Sequence, residues 1–134
     1  MIKKVDFKDI DETLKMKLNN FILVSFPESR LYTYDIIIYD INEESGEILG
    51  FTGLNIYDNT ILVNQLCVEF KNRNQGIATS LLSFIENNFN ISNICLYIGK
   101  FNYSNTEKLY NFYIKRGFNE VYNDFYKYKM CKQL

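Results

Sequence analysis

The stretch Leu66-Cys67-Val68-Glu69-Phe70-Lys71-Asn72-Arg73-Asn74-Gln75-Gly76-Ile77-Ala78-Thr79-Ser80-Leu81-Leu82 decides how the rest of the chain is read. An apolar strand ends near Val68, a polar run follows, and Gly76 opens a segment with Ile77, Leu81, Ile85 and Phe89 at helical spacing. Strand, turn and helix in that order gather the orphan N–H groups of a helix start and the positive end of its dipole at one point. Such a point suits a phosphate-bearing ligand. Gly76 lacks a Cβ and lets the backbone approach a bulky diphosphate. Ile77–Ser80 bring amides without an intrahelical acceptor, Ala78 keeps the helix start small, and Arg73 adds a charge-assisted contact. A structural turn uses the same residue types, so on these residues alone both readings stand. No Gly-Lys-Ser/Thr occurs, which excludes a P-loop, and no Gly-x-Gly-x-x-Gly follows the first strand.

Working outward, Ile2–Val5 reads as a strand, and Asp9-x-x-Glu12 as the capping box of a helix carrying Ile10, Leu14, Leu18, Phe21 and Ile22. Pro27 ends that helix. Tyr32–Ile41 and Glu47–Tyr57 form a hairpin around Asn42–Gly46, and Asp58-Asn59 turns into a third strand, Thr60–Val68. After the Gly76–Phe89 helix come a strand at Asn93–Ile98 and a helix started by Ser104-x-x-Glu107, with Leu109, Phe112 and Tyr113 inward and Gly117 as its stop. Phe118–Tyr122 and Phe125–Met130 are the last strands, the latter an exposed edge able to pair with another chain. The order β-α-β-β-β-α-β-α-β-β predicts one α/β (α+β) domain over residues 1–134: a mixed, mostly antiparallel twisted sheet of six or seven strands flanked by helices.

Bulk properties bound the function. The chain has 134 residues, 47% of them hydrophobic, enough for one cored domain and too few for two. Fifteen basic and sixteen acidic residues leave a net charge of −1, which gives no footprint for nucleic acid or an anionic membrane. No apolar run approaches a bilayer span and no signal core follows Met1, so cytoplasmic residence is expected. Cys67, Cys95 and Cys131 are widely spaced and read as separate buried or half-buried thiols in a reducing compartment. The absence of histidine removes Cys–His and Ser–His machinery and the usual zinc sites, so no metal is expected.

With these elements laid out, Arg73-x-x-Gly76-x-Ala78 after a strand ending in Val68 resembles the acetyl-CoA pyrophosphate loop of the GCN5-related N-acetyltransferases, the GNAT superfamily. The element order matches that family over nearly the whole chain, with its second N-terminal helix shortened or absent. The resemblance implies acetyl-CoA as co-substrate, held by Arg73, Asn74, Gln75, Gly76, Ile77, Ala78 and Thr79. The main chain of Leu66, Cys67 and Val68 would line the pantetheine arm. Ser104–Phe118 resembles the family's second signature: Tyr113 lies four residues before Gly117-Phe118, the family spacing for the tyrosine facing the coenzyme sulfur. The family asparagine is replaced at its usual position by Thr106, with Asn105 one place earlier, so either residue is assigned to the pantetheine arm.

Acetyl transfer needs a neutral amine, although a lysine-like amine has a pKa of about 10.4. It also needs donors for the oxyanion, for which the resemblance offers a main-chain N–H such as that of Val68, and a proton for the leaving thiolate. Tyr113, a phenol, fits the last role, though a tyrosine on an apolar helix face is equally a core residue. No carboxylate lies between Asp58 and Glu69, where some family members carry a base; Asn64 and Gln65 are the polar residues there. Direct attack in a ternary complex, with a water-relayed proton, is the expected mechanism. In this family the acceptor, a primary amine of a small molecule or protein, is selected by the connections that fall here at Phe26–Tyr34 and Tyr122–Phe125. Glu28, Asp35 and Asp124 there are able to attract a cation or simply to solvate the loops. The alternative is a non-catalytic acyl-CoA-binding module, in either case a monomer or homodimer.

Overall fold

The computed structural model describes residues 1–25, 30–68, 76–100 and 106–134. Seven strands and three α-helices follow in the order β1 (Ile2–Asp6), α1 (Glu12–Ser25), β2 (Ile36–Ile41), β3 (Ile48–Tyr57), β4 (Thr60–Val68), α2 (Ile77–Asn88), β5 (Asn93–Gly99), α3 (Thr106–Lys115), β6 (Asn119–Asn123) and β7 (Lys127–Gln133). The result is an α/β fold with a seven-stranded, mostly antiparallel sheet, as the sequence predicts. The chain packs as two compact units, Met1–Asn55 with Asn64–Phe89, and Ile56–Val63 with Asn90–Leu134.

In the first unit β1 pairs with β2 and β2 with β3, both antiparallel. Ile36, Ile37 and Ile38 are all buried. Alternation along a strand sends neighbours to opposite faces, so such a run requires cover on both. Leu18, Phe21 and Ile22 of α1 cover one face, in a core with Tyr34, Ile37, Ile48, Phe51 and Cys67. On α2 the buried stripe is Ile77, Leu81, Leu82 and Ile85, and the helix packs against β2. Each fully buried aliphatic side chain contributes about 1.5–3 kcal/mol of apolar burial. In this unit two boundaries differ from the sequence reading by more than one residue. Asp11, not Asp9, caps α1, its Oδ1 accepting the Leu14 N–H at 2.7 Å, because Phe7–Asp9 form a 3-10 turn. The strand expected from Tyr32 begins at Ile36, and Tyr32–Asp35 do other work.

In the second unit β4 runs parallel to β5 from Thr60↔Asn93 to Val63↔Leu96. β7 lies antiparallel between β5 and β6. This corrects the expected exposed terminal edge. A tight turn at Asp124 folds β7 back along β6, and the pairing of β7 with β5 on its other side leaves β6, exposed throughout, as the outer strand. The β5–β7 register sets Cys95 opposite Cys131, and the two form a disulfide. That overturns the expectation of three separate thiols, since the pair is created by strand pairing across 36 residues. Cys67 is a buried thiol outside it, as expected. On α3, Leu109 is exposed rather than inward, and Tyr113 is the buried residue.

Candidate active site

β4 delivers the first group of candidate residues. Leu66 is half-buried while Cys67 and Val68 are buried. Strand β3 lies close beneath them: a Cβ built at Gly50 would come within 3.0 Å of the Cys67 carbonyl oxygen and of Ile77 Cγ2. The side chain of Cys67 belongs to the α1-facing core, which suits a packing residue and not an acyl carrier.

Gly76 precedes α2 with φ +78°, the left-handed region that glycine enters without steric cost. Its chain neighbours aside, a Cβ built there meets no described atom within 4 Å, so backbone conformation is the described requirement for glycine. The first intrahelical bond runs from the Ser80 N–H to the Gly76 carbonyl at 2.9 Å. Ser80 therefore leaves the expected set of orphan donors. Ile77 and Ala78 precede the ladder, with their N–H groups at the positive end of the dipole. Arg73, Asn74 and Gln75 lie outside the described residues, as does Asn105.

The second group sits at the end of α3. Phe118 N–H bonds to the Tyr113 carbonyl and Gly117 N–H to the Ile114 carbonyl, both at 3.1 Å, with Gly117 at φ +90°. This is a Schellman stop, and the Tyr113 and Phe118 rings pack edge to face across it at 5.4 Å. The Tyr-x-x-x-Gly-Phe spacing thus has a local structural cause: the stop joins the tyrosine carbonyl to the phenylalanine N–H and brings their rings together. Tyr113 is 6% exposed and also packs edge to face on Phe112. At the start of α3 the Thr106 hydroxyl donates to the Gly99 carbonyl at 2.9 Å.

The part of β4 where some family members carry a base holds paired amides. Asn64 donates to Asn55 on β3. Gln65 accepts from the Tyr34 hydroxyl and donates through Nε2 to the Arg30 carbonyl at 3.2 Å. The buried Thr52 hydroxyl donates to the Gln65 carbonyl at 2.8 Å. Burial pushes the Tyr34 phenol up to about 12, against a smaller opposing effect of the Tyr32 N–H that it accepts. At neutral pH Tyr34 therefore stays protonated, a hydrogen-bond donor to Gln65 and no base. No sequence signal pairs Tyr34 with Gln65, 31 positions apart.

Asp124, read as able to attract a cation, has a structural task. Its Oδ1 accepts the N–H groups of Tyr126 and Lys127 at 2.8 and 2.9 Å, and Oδ2 accepts the Tyr122 hydroxyl. The Tyr126 N–H, the largest influence, holds its carboxyl below the usual range. Glu28 lies outside the described residues. Among the described residues no group of three His, Cys, Asp or Glu is arranged to hold a metal, and no helix is long and apolar enough to cross a membrane.

No curated protein sequence matches the chain. Among solved structures, an aminoglycoside 6'-acetyltransferase type Ii is similar with TM-score 0.78 and 21% identity, covering 99% of this chain and 96% of that one. The aminoglycoside 6'-N-acetyltransferase from Enterococcus faecium gives TM-score 0.75 and 20% identity, at 99% and 96% coverage. PaiA N-acetyltransferase from Thermoplasma acidophilum, in complex with coenzyme A, gives 0.67 and 17%, at 100% and 98% coverage. At these identities the likeness is one of fold. The model of the acetyltransferase (GNAT) domain matches residues 33–120, a span from the segment before β2 to β6 that takes in β4, the start of α2 and the α3 stop. On that match, the chain belongs to the GNAT family of acetyltransferases.

Proposed function

We propose that residues 1–134 act as one N-acetyltransferase domain that moves the acetyl group of acetyl-CoA to a primary amine by direct attack in a ternary complex. The observation that carries this reading is the left-handed Gly76 at the start of α2, which sets the Ile77 and Ala78 N–H groups ahead of the helix ladder that begins with the Ser80-to-Gly76 bond. A helix start of that kind suits a diphosphate, because its leading N–H groups and the positive dipole end face one point. In this reading Arg73, Asn74, Gln75, Gly76, Ile77, Ala78 and Thr79 hold the pyrophosphate. The pantetheine arm follows the main chain of Leu66, Cys67 and Val68, and Asn105 or Thr106 contacts its polar groups. Thr106 keeps only its acceptor capacity for this, its hydroxyl proton being committed to Gly99.

The amine nitrogen attacks the thioester carbonyl, the N–C bond forms and the C–S bond breaks. Backbone N–H groups of β4 stabilise the oxyanion between these events. Tyr113 gives its phenolic proton to the departing thiolate and recovers one from the acylated amine through water. The paired amides Asn64 and Gln65 cannot take that proton, which supports a water relay over a strand carboxylate.

The test is thiol release from acetyl-CoA with kanamycin, spermidine and a lysine-containing peptide, beside a melting assay with CoA. Turnover with any of them supports the enzyme. Stabilisation by CoA with no turnover on a broad amine panel would favour a non-catalytic acyl-CoA-binding module.

A further inference from the structure

The buried phenol of Tyr34 has no role in the chemistry above, yet the fold makes room for it. Tyr34 precedes β2, whose first residue Ile36 pairs with Leu54 of β3. Its ring lies over Gly53 so closely that a Cβ built there would come within 2.5 Å of ring carbons. Only a residue without a side chain allows a ring to lie that close to β3 at that point. From there the ring carries its hydroxyl across to β4, where it donates to Gln65. Gln65 then turns its other end back to the Arg30 carbonyl, and the Tyr32 N–H donates to the Tyr34 hydroxyl. Both ends of one amide are thus used to tie the segment from Arg30 to Tyr34 onto β4. Gln65 stands immediately before Leu66, the first residue assigned to the pantetheine arm.

We propose that Gln65 and Tyr34 are positioning residues for the amine acceptor: their hydrogen-bond relay clamps residues 30–34 against β4 as a fixed wall beside the thioester. The inference rests on the acetyltransferase reading. Neither residue exchanges a proton with substrate. The clamp acts on where the acceptor sits, so its loss weakens acceptor binding more than it slows the bound complex, and leaves acetyl-CoA binding intact. The exposed edge of the wall is Arg30 stacked on Tyr32, with the guanidinium carbon 4.9 Å from the ring centre.

Steady-state kinetics of the full chain with kanamycin, spermidine and a lysine-containing peptide test this. For Gln65→Leu, which loses both ends of the relay, one part-buried and one exposed, acceptor KM is expected to rise about tenfold, the size of loss that one or two net hydrogen bonds give. kcat and the KM for acetyl-CoA should stay within about twofold. Gln65→Glu keeps an acceptor for Tyr34 but loses the donor to Arg30, and should fall between wild type and Gln65→Leu. Gly53→Ala lifts the ring from below and should reproduce the acceptor defect without touching β4. An active wild type whose acceptor KM is unmoved in Gln65→Glu and Gly53→Ala overturns the clamp alone. Equal losses in kcat and in acetyl-CoA affinity overturn it too. A wild type that binds CoA but acetylates no amine overturns the clamp together with the reading beneath it.

Discussion

At the scale of the residue, two tyrosines with similar burial carry opposite meanings. Tyr34 is held by polar partners and desolvated, so its ionisation is costly. Its folded pKa of about 12 lies above the ordinary value of 10.0. A raised folded value means that its contribution to stability is complete below pH 10 and is lost as pH rises toward 12. Denaturant unfolding followed from about pH 9 to about 11.5 should show stability falling in that window, and Tyr34→Phe should flatten the fall. Tyr113 is packed by rings, and its main-chain carbonyl is committed to the Schellman stop while its phenol is assigned to the thiolate. Tyr113→Phe keeps the ring and the stop. It is expected to lower kcat about 100-fold, the usual worth of a positioned acid, with acetyl-CoA affinity within about twofold. An unchanged kcat would remove Tyr113 from the mechanism and leave it a packing residue.

The elements show where local pattern suffices. α2 and the strands β3, β4 and β5 fall within a residue or so of their expected bounds because their apolar periodicity is long and their ends carry turn residues. α1 shows the limit. Asp9 and Asp11 are both adequate caps on paper, and Asp9 has Glu12 at the right spacing for a capping box. The 3-10 turn at Phe7–Asp9 takes Asp9 out of contention and hands the cap to Asp11. Asp11→Ala is therefore expected to cost about 1 kcal/mol, read as a lower melting temperature, with Asp11→Asn recovering most of it and Asp9→Ala nearly silent. Tyr32–Asp35 looks like strand by composition. Its backbone is diverted before β2 begins, while Asp35 still bridges the main chains of Phe7 and Leu54.

For the whole molecule, the Cys95–Cys131 bridge is the feature that strand topology adds. It closes a loop of 36 residues that contains α3 and β6. By chain entropy such a closure contributes about 4 kcal/mol, so reduction should lower the melting temperature by about 10 °C or more. Alkylation of the denatured, unreduced chain should label Cys67 alone, and all three cysteines after reduction. Three labels without reductant would show the bridge absent in solution. The sequence by itself determined the element order, the antiparallel hairpins, the glycine turn at α2 and the family, because periodicity, caps and turn chemistry act over a few residues. Only the tertiary structure decided that Cys95 meets Cys131, that β7 lies inside β6, and that Tyr34 reaches Gln65 across Gly53. Each of those joins residues far apart in the chain, and such pairs are selected by strand register and packing, which leave no local trace. The Gly76 turn is legible in both, and its left-handed backbone supplies the physical reason why a glycine stands there.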